Sequence, residues 1–218
     1  MCKKLFIFPF GGNARESLLS LLAINEKRKE WDIVGFIDDD HSKHGKDYYG
    51  VKVLGGRELL EKYADTSVLA VPGSPEGYSR RKAIIESLPV EQSRFATIIH
   101  PSVVKAPDAV IGYNTLLMAN VVVSCGVHVR NHCIVLPNTV IAHDSVVGDY
   151  CCIGSNVSVS GHVAISWGSY IGSGAKIREN VRIGEQSLIG LGSNVIADVE
   201  SGVVAVGNPA RVLRRNVQ

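Results

Sequence analysis

The sequence predicts two domains: a small α/β domain with a parallel sheet over residues 1–93, and a parallel β-helix of hexapeptide repeats over residues 94–218. Before Phe95, short apolar runs alternate with amphipathic helical patterns, which is typical of parallel sheets with helical crossovers. After Phe95, the pattern changes to a strict repeat of six, and a fixed short period is the mark of a solenoid. A chain of 218 residues with 45% hydrophobic and 20% charged residues is long enough to bury such cores.

The first domain is predicted from six segments. The strands are KLFIFPF, WDIVGFIDD and SVLAVPG, and the helices that follow them in turn are ARESLLSLLAINEKRK, GRELLEKYA and EGYSRRKAIIESL. Alternation of strand and helix gives a parallel sheet with right-handed crossovers, similar to one half of a Rossmann fold.

The second domain is predicted from the hexad. With the register starting at Ile111, every sixth residue through Val195 is Ile, Leu or Val, which makes 15 positions without an exception. The fifth position of each hexad carries only residues small enough for a tight interior corner. Cys133 and Cys151 hold two of these positions, so we expect them to be packing residues.

The fourth hexad position is expected to be a left-handed turn residue. It is Asn or Gly at nine of the 15 repeats and Asp at two more, and these residues tolerate positive φ. In one repeat, Pro137 and Asn138 suit the two central places of a type II turn. Each hexad is thus a short strand plus a corner, and three hexads close one triangular coil. About five stacked coils give a prism roughly 24 Å long.

Composition and charge exclude several classes of protein. The formal net charge is +2, and the basic residues are scattered except in the tail ARVLRRNVQ, which argues against nucleic acid and membrane surfaces as partners. No apolar run approaches the roughly 18 residues that span a bilayer, and Pro9 interrupts the start of the chain before it could act as a signal peptide. The five cysteines lack the spacing of a disulfide framework. We therefore expect a cytoplasmic protein with free thiols and small-molecule partners.

His143 is the candidate catalytic residue. It is the only histidine at a third hexad position, an outward corner that asks for no special backbone geometry. Its neighbour Asp144 has a structural reason to be there, as a turn residue, but its carboxylate could also bond one ring nitrogen and leave the other as a base. His132 and His162 occupy fourth positions, so we expect corner residues there, and His128 is expected to be a surface residue.

A metal site built from His128, His132 and Cys125 or Cys133 is disfavoured. Cys133 points inward in the register, and His128 belongs to a different hexad position from His132, so the ligands diverge. The sequence predicts no metal.

Six segments carry a resemblance to a known family. They are FGGNARE, GFIDDD, VKVLGG, ATIIHPSVV, NTVIAHDSVVGDYCCIGSNVSVSGHV and VAVGNPARVL. Over essentially its whole length, the chain resembles the bacterial hexapeptide-repeat sugar acyltransferases of the NeuD and PglD type. The resemblance implies a left-handed β-helix, a homotrimer with active sites between adjacent prisms, and acetyl-CoA as acyl donor. By match of motif, it implies that His143 is the general base and that Asp144 orients it.

Coenzyme A is expected to lie beside the edge that carries the base, between adjacent prisms, because one edge alone is a poor pocket for so long a molecule. Residues 18 apart stack on one edge, and the column toward the C-terminus contains His143, Gly161, Glu179 and Ala197. Gly161 leaves room for a thioester to approach the backbone, and it matches a family glycine whose amide contacts the thioester. The candidates for the adenosine end and its phosphates are Gly190, Gly192, Arg211 and Arg214. For the two arginines, a solvated tail is an equal alternative.

The first domain is the candidate nucleotide site. The turn PFGGNARES lies between a strand and a helix, where backbone amides can hold phosphate, but it lacks the G-x-G-x-x-G spacing of NAD sites. Acidic residues follow the second strand, at the sheet edge where carboxylates can accept hydrogen bonds from a base or a ribose. A plain turn and a solvated acidic loop are the ordinary alternatives. The resemblance implies a nucleotide-sugar site at Gly11, Gly12, Asn13, Asp38 and Asp39.

These expectations combine into one leading function and two alternatives. The leading function is transfer of an acetyl group from acetyl-CoA to the amine of a nucleotide-linked 4-amino-4,6-dideoxy sugar, in bacterial surface-glycan synthesis such as that of lipopolysaccharide O-antigen. The first alternative is O-acetylation of sialic acid or another sugar hydroxyl. The second is a non-catalytic trimeric sugar-binding scaffold. Because the first domain argues for a nucleotide, the amine acceptor is preferred.

Overall fold

In the computed structural model, which describes residues 2–215, the first domain is built around a parallel sheet. Its elements are β1 (Lys3–Phe8), α1 (Gly12–Lys27), β2 (Trp31–Phe36), β3 (Asp47–Tyr48), β4 (Val51–Lys52), α2 (Leu59–Lys62), β5 (Ser67–Ala70) and α3 (Arg81–Glu86), with 3₁₀ turns at His41–Lys43, Tyr78–Arg80 and Gln92–Arg94. The sheet order is β2-β1-β5 and both pairings are parallel. The predicted small parallel sheet is confirmed.

Both faces of this sheet are covered by apolar side chains. On one face, Leu18 and Leu21 of α1 pack with Leu5 and Ile7 of β1. On the other face, Phe6 and Phe8 of the same strand pack in a separate cluster that includes Ile85 of α3. The alternation along β1 follows from the strand period of two, since successive side chains point to opposite faces.

From Ile98 onward the chain forms a three-sided solenoid of short strands. Strands β6 to β22 are, in order, Ile98–Ile99, Val104–Lys105, Val110–Ile111, Leu116–Leu117, Val122–Val123, His128–Val129, Ile134–Val135, Val140–Ile141, Val146–Val147, Cys152–Ile153, Ser158–Val159, Ala164–Ile165, Tyr170–Ile171, Lys176–Ile177, Arg182–Ile183, Leu188–Ile189 and Asn194–Val195. The strands pair in parallel with partners 18 residues away, as Val122 does with Val104 and Val140. This is the predicted architecture, a left-handed parallel β-helix.

The strands form three sheets, one on each side of the prism. The docking sheet, so named because the first domain packs on it, contains β6, β9, β12, β15, β18 and β21. The second sheet contains β7, β10, β13, β16, β19 and β22, and the third contains β8, β11, β14, β17 and β20. Each coil runs from the docking sheet to the second sheet and then to the third.

Side chains and corners follow the predicted hexad register. All fifth-position residues from Thr115 to Val199 are buried, and the first-position residues are buried except Ile111, which is partly buried. At 14 of the 15 fourth positions the backbone has positive φ, including Tyr150 and Gln186, whose residue types do not by themselves indicate a left-handed corner. The repeat therefore imposes the corner conformation even where the residue is not Asn, Asp or Gly.

The buried hydroxyl groups at fifth positions have hydrogen-bond partners. Thr139, Ser145 and Ser169 each donate a hydrogen bond to a backbone carbonyl 15 residues further along, at 2.7 to 2.9 Å. Because a buried hydroxyl without a partner costs free energy, these bonds explain how a polar residue is accommodated inside the prism.

The first domain packs on the docking sheet through α1. Leu116, Ile134 and Cys152 of that sheet lie in one apolar cluster with Leu18 and Leu21 of α1. The corner between the second and third sheets carries residues 143 and 144, because it follows β13 and precedes β14. We call this corner the His143 edge. In a three-sided prism it lies opposite the docking sheet, and thus on the side away from the first domain.

A hairpin ends the described part of the chain. Strand β23 (Val203–Gly207) extends the docking sheet next to β21, and β24 (Ala210–Arg215) pairs with it in antiparallel orientation. Within residues 2–215, none of the helices combines the length and the apolar character that crossing a bilayer requires.

Candidate active site

The imidazole of His143 is held by the carboxylate of Asp144. The distance from Nδ1 of His143 to Oδ2 of Asp144 is 2.9 Å, and both side chains are about half exposed, at 52% and 53%. An ionised carboxylate only accepts hydrogen bonds, so Nδ1 carries the proton and Nε2 keeps its lone pair. Asp144 also has φ of 58°, so it is both the turn residue and the partner of the ring.

Two glycines make room for this pair. A β-carbon at Gly161 would lie 2.6 Å from Cε1 and Nε2 of His143, so the ring occupies the space that a side chain would take. A β-carbon at Gly126 would lie 2.5 Å from Oδ1 of Asp144. Gly126 was not among the predicted site residues, although it precedes Asp144 by 18 residues and its place in the column could be read from the sequence.

His162 lies beside the same carboxylate. As predicted, it is a corner residue, with φ of 58°. Its Nε2 is 3.8 Å from Oδ2 of Asp144, and its ring meets the ring of His143 edge to face with centroids 5.1 Å apart. The hexad register predicts only a corner role for His162 and does not predict this contact, which arises because residues 144 and 162 are one coil apart.

His132 is a structural residue at the interface between the domains. Its φ of 58° confirms the corner prediction. Its Nδ1 lies 2.8 Å from Nδ2 of Asn114, and its ring stacks on Tyr150 with centroids 4.6 Å apart. Burial, reinforced by the positive charge of Arg81, lowers the pKa of His132 to about 4.

The remaining residues of the disfavoured metal site do not converge. His128 is exposed on β11, as predicted, whereas Cys133 is buried inside the prism and hydrogen-bonds to the carbonyl of Gly148. Burial raises the pKa of the Cys133 thiol well above its usual value, so this cysteine is a packing residue. Cys125 is exposed.

The predicted coenzyme A residues do not all lie on the His143 edge. Gly161 does, one coil beyond the base. Gly190 and Gly192 follow β21 and therefore lie at the corner between the docking sheet and the second sheet. One side of the prism is six residues long and measures at most about 20 Å, so a single chain does not bring these glycines beside His143. The assignment of Gly190 and Gly192 to the adenosine end of coenzyme A stays a prediction, and it requires the expected site between adjacent prisms.

The two candidate arginines lie in the terminal hairpin. Arg211 and Arg214 belong to β24 and are exposed, and a guanidinium nitrogen of Arg211 donates to the carbonyl of Ala210.

The Gly-Gly turn opens onto a pocket in the first domain. Gly11 precedes α1, and nothing lies within 4 Å of the place a β-carbon would take at Gly11 or Gly12. The pocket has a volume of about 510 Å³ and is lined by Phe10, Gly11, Arg15, Lys43, Lys46, Asp47 and Tyr48. Three cations and two aromatic rings suit a ligand that combines phosphate with a planar base. These cations were not predicted from the sequence, because they come from the helix and a loop that only the fold brings together.

The two predicted acidic residues, Asp38 and Asp39, form ion pairs with neighbouring cationic side chains. Asp38 is buried, and its Oδ2 accepts a hydrogen bond of 2.8 Å from Nζ of Lys43. Asp39 accepts hydrogen bonds from Arg57. Burial would raise the pKa of Asp39, but the hydrogen bonds and charge of Arg57 outweigh it and hold that pKa below its usual value. Both carboxylates therefore already have cationic partners.

Asn13 ties the turn to the loop after β5. Its side-chain amide donates to the carbonyls of Val71 and Gly73, at 3.3 and 3.2 Å. This bonding gives Asn13 a structural role at the base of the turn.

Comparisons with known proteins agree with the fold. Residues 126–161 match the family described as bacterial transferase hexapeptide (six repeats). The acetyltransferase domain of PglB from Neisseria gonorrhoeae is 26% identical, with a TM-score of 0.84 over 97% of this chain and 100% of that one. PerB from Caulobacter crescentus, solved with CoA and GDP-perosamine, is 23% identical, with a TM-score of 0.82 over 97% of both chains. WeeI from Acinetobacter baumannii is 22% identical, with a TM-score of 0.74 over 98% of this chain and 100% of that one. No curated protein sequence matches the chain significantly.

The hexapeptide-repeat match and the full-length likeness to the acetyltransferase domain of PglB show the class of protein: this chain is an acyltransferase built on a solenoid of six-residue repeats. Within that class, its likeness to the acetyltransferase domain of PglB extends over both domains, so the α/β domain is part of the shared architecture and not an addition to it.

Proposed function

We propose that the protein transfers the acetyl group of acetyl-CoA to the amine of a nucleotide-linked 4-amino-4,6-dideoxy sugar, in bacterial surface-glycan synthesis. The observation that carries the proposal is the His143–Asp144 pair, in which the carboxylate fixes Nδ1 and leaves Nε2 as a base on an exposed edge. Full-length likeness to the acetyltransferase domain of PglB, one structure of which contains acetyl-coenzyme A, supports the donor. The PerB complex with CoA and GDP-perosamine supports an amino-sugar acceptor.

In this reaction the base acts on the acceptor amine. The amine nitrogen of the acceptor attacks the thioester carbonyl, and Nε2 of His143 takes a proton from that amine. Asp144 stabilises the imidazolium that forms. An amide near Gly161 would steady the oxyanion of the tetrahedral intermediate. When the C–S bond breaks, the proton on Nε2 passes to the departing thiolate, so that His143 ends neutral.

The nucleotide would bind in the pocket at the Gly-Gly turn. Open space at Gly11 and Gly12 allows a phosphate to approach the backbone at the start of α1. Arg15, Lys43 and Lys46 supply positive charge for a diphosphate. In this arrangement, Asp38 holds the side chain of Lys43 in position, in addition to any contact that it makes with the nucleobase.

The geometry of one chain favours a homotrimer in which each site is completed by a second copy. The base lies on the edge opposite the sheet that carries the first domain, so the nucleotide pocket and His143 of one chain face away from each other. Gly190 and Gly192 lie on a third part of the surface, the edge between the docking sheet and the second sheet. In a trimer, this edge of a second copy would lie next to His143. Val104 and Val140 of the second sheet, which borders the His143 edge, are 65% and 41% exposed and offer an apolar contact surface.

Labelled acetyl-CoA assayed against a panel of nucleotide-linked amino sugars and hydroxy sugars tests the proposal. We expect label in an amide product, and a loss of about 10²- to 10⁴-fold in turnover for His143→Ala with the oligomer intact by light scattering. Full activity in that variant would remove the proposed base, and label only in ester products would favour the O-acetylation alternative.

A thermal-shift measurement separates the enzyme from a binding scaffold. Coenzyme A should raise the melting temperature, because a ligand that binds only the native state stabilises it. A shift with nucleotide but none with coenzyme A would favour the non-catalytic scaffold.

A further inference from the structure

His143, Asp144 and His162 bring three metal-ligating groups together. Within residues 2–215, the ligand atoms of these side chains all lie within 4.8 Å of one another. Oδ2 of Asp144 stands between the rings, 2.9 Å from Nδ1 of His143 and 3.8 Å from Nε2 of His162.

The backbone of the solenoid fixes the positions from which all three side chains extend. Asp144 and His162 occupy the same corner of successive coils, with φ of 58° at each. The amide of His162 donates a hydrogen bond of 3.0 Å to the carbonyl of His143. The side chains themselves are 52% to 56% exposed, so they can rotate toward a common ligand without moving the solenoid.

Two imidazoles and one carboxylate are a donor set that zinc prefers. In a tetrahedral site, zinc–nitrogen and zinc–oxygen distances of about 2.0–2.2 Å place neighbouring donors roughly 3.3–3.5 Å apart. The observed separations of 2.9 and 3.8 Å lie on either side of that value. We propose that His143, Asp144 and His162 bind a zinc ion, with water as the fourth ligand.

Zinc at this place would block the base. A metal bound to Nδ1 of His143 replaces the proton that this nitrogen shares with Asp144. The one proton of the neutral imidazole is then on Nε2, which becomes a hydrogen-bond donor and is no longer a base. The inhibition, though not the binding, rests on the proposed acetyl transfer.

The binding is tested by calorimetric titration of chelator-treated full-length protein with zinc alone. We expect about one zinc per chain, and at least a tenfold weaker affinity for His162→Asn, since Asn tolerates the left-handed corner but supplies no imidazole. His128→Asn, an exposed histidine on β11, is the matched control and should bind zinc like the wild type. Magnesium should not bind, because it prefers oxygen ligands. No zinc binding, or unchanged affinity in both His162→Asn and His162→Gln, overturns the proposal.

The consequence is tested by activity. Because His162 contacts both His143 and Asp144, the zinc-free rate of His162→Asn is measured first, and inhibition of each protein is expressed relative to its own zinc-free rate. Zinc should then inhibit the wild type, reversibly with a chelator, and inhibit His162→Asn only at concentrations at least tenfold higher. Equal inhibition of both would contradict the site. If zinc binds as expected but no acceptor is acetylated, the proposed function fails and the metal site stands.

Discussion

The imidazole of His143 occupies the space that a β-carbon would take at Gly161, one coil further along the prism. A β-carbon at residue 161 would stand 2.6 Å from both Cε1 and Nε2, which is closer than a β-carbon approaches non-bonded heavy atoms in proteins. Gly161→Ala should therefore displace the ring and lower kcat by about 10²-fold, the usual cost of moving a catalytic group by about 1 Å.

The control for this substitution is Gly202→Asn. Gly202 has positive φ, which Asn tolerates, and nothing lies within 4 Å of its added β-carbon. Steady-state kinetics should show wild-type rates for the control. Wild-type rates for Gly161→Ala, with an unchanged melting temperature, would contradict the close approach of the ring.

Asp144→Asn separates the turn role of this residue from its role toward His143. Asn tolerates the positive φ of the left-handed corner, so we expect folding and the melting temperature to be preserved. The neutral amide no longer stabilises the imidazolium, and kcat should fall by about 10²-fold or more. The reverse change at another corner, Asn138→Asp, should leave the rate unchanged. A rate within a few-fold of wild type for Asp144→Asn would mean that Asp144 serves only the turn.

Acid should destabilise the protein through His132. Burial lowers its pKa to about 4 in the folded state, whereas the unfolded chain protonates it near 6.5. Between these values the unfolded state binds more protons, so stability falls as pH drops from about 6.5 to 4, by at most about 3 kcal/mol. Denaturant unfolding across this range measures the loss.

His132→Asn is the matched variant for the pH experiment. Asn tolerates the positive φ of 58°, and it has no group that titrates in this range. The variant should be less stable at pH 7, because it loses the stacking on Tyr150, but it should lose less stability on acidification. Parallel curves for the two proteins would assign the acid sensitivity to other groups.

Lys43→Ala tests the nucleotide pocket. Asp38 holds Nζ of Lys43 at the pocket wall, at 2.8 Å. If Lys43 contacts phosphate, its removal should raise KM for the nucleotide sugar by about tenfold and leave kcat almost unchanged, as expected for a charge-assisted hydrogen bond made equally in ground and transition states. Lys52→Ala, an exposed lysine on β4, is the control. An unchanged KM for Lys43→Ala would place the nucleotide elsewhere.

Local sequence was enough to predict the position of the His143–Asp144 pair. The hexad register placed His143 at an outward corner and Asp144 at a left-handed turn, and the structure confirms the corner. The register did not indicate that the side chain of His162 would also approach the carboxylate of Asp144. His162 is 18 residues away, and its approach depends on side-chain rotation across a coil, which the repeat does not encode.

Sequence by itself determined the solenoid, because each side of a coil depends only on nearby residues. Six consecutive residues specify one strand and one corner, and the pattern repeats. It also determined which positions point inward, since a slip of one residue would expose the buried aliphatic row. Only the tertiary structure decided that the first domain packs on the sheet opposite His143, that Gly190 and Gly192 occupy another edge, and that Arg15 and Lys43 share a pocket. These relations depend on how distant surfaces dock, and docking is set by apolar contacts between residues such as Leu18 and Ile134 that have no fixed spacing in the chain.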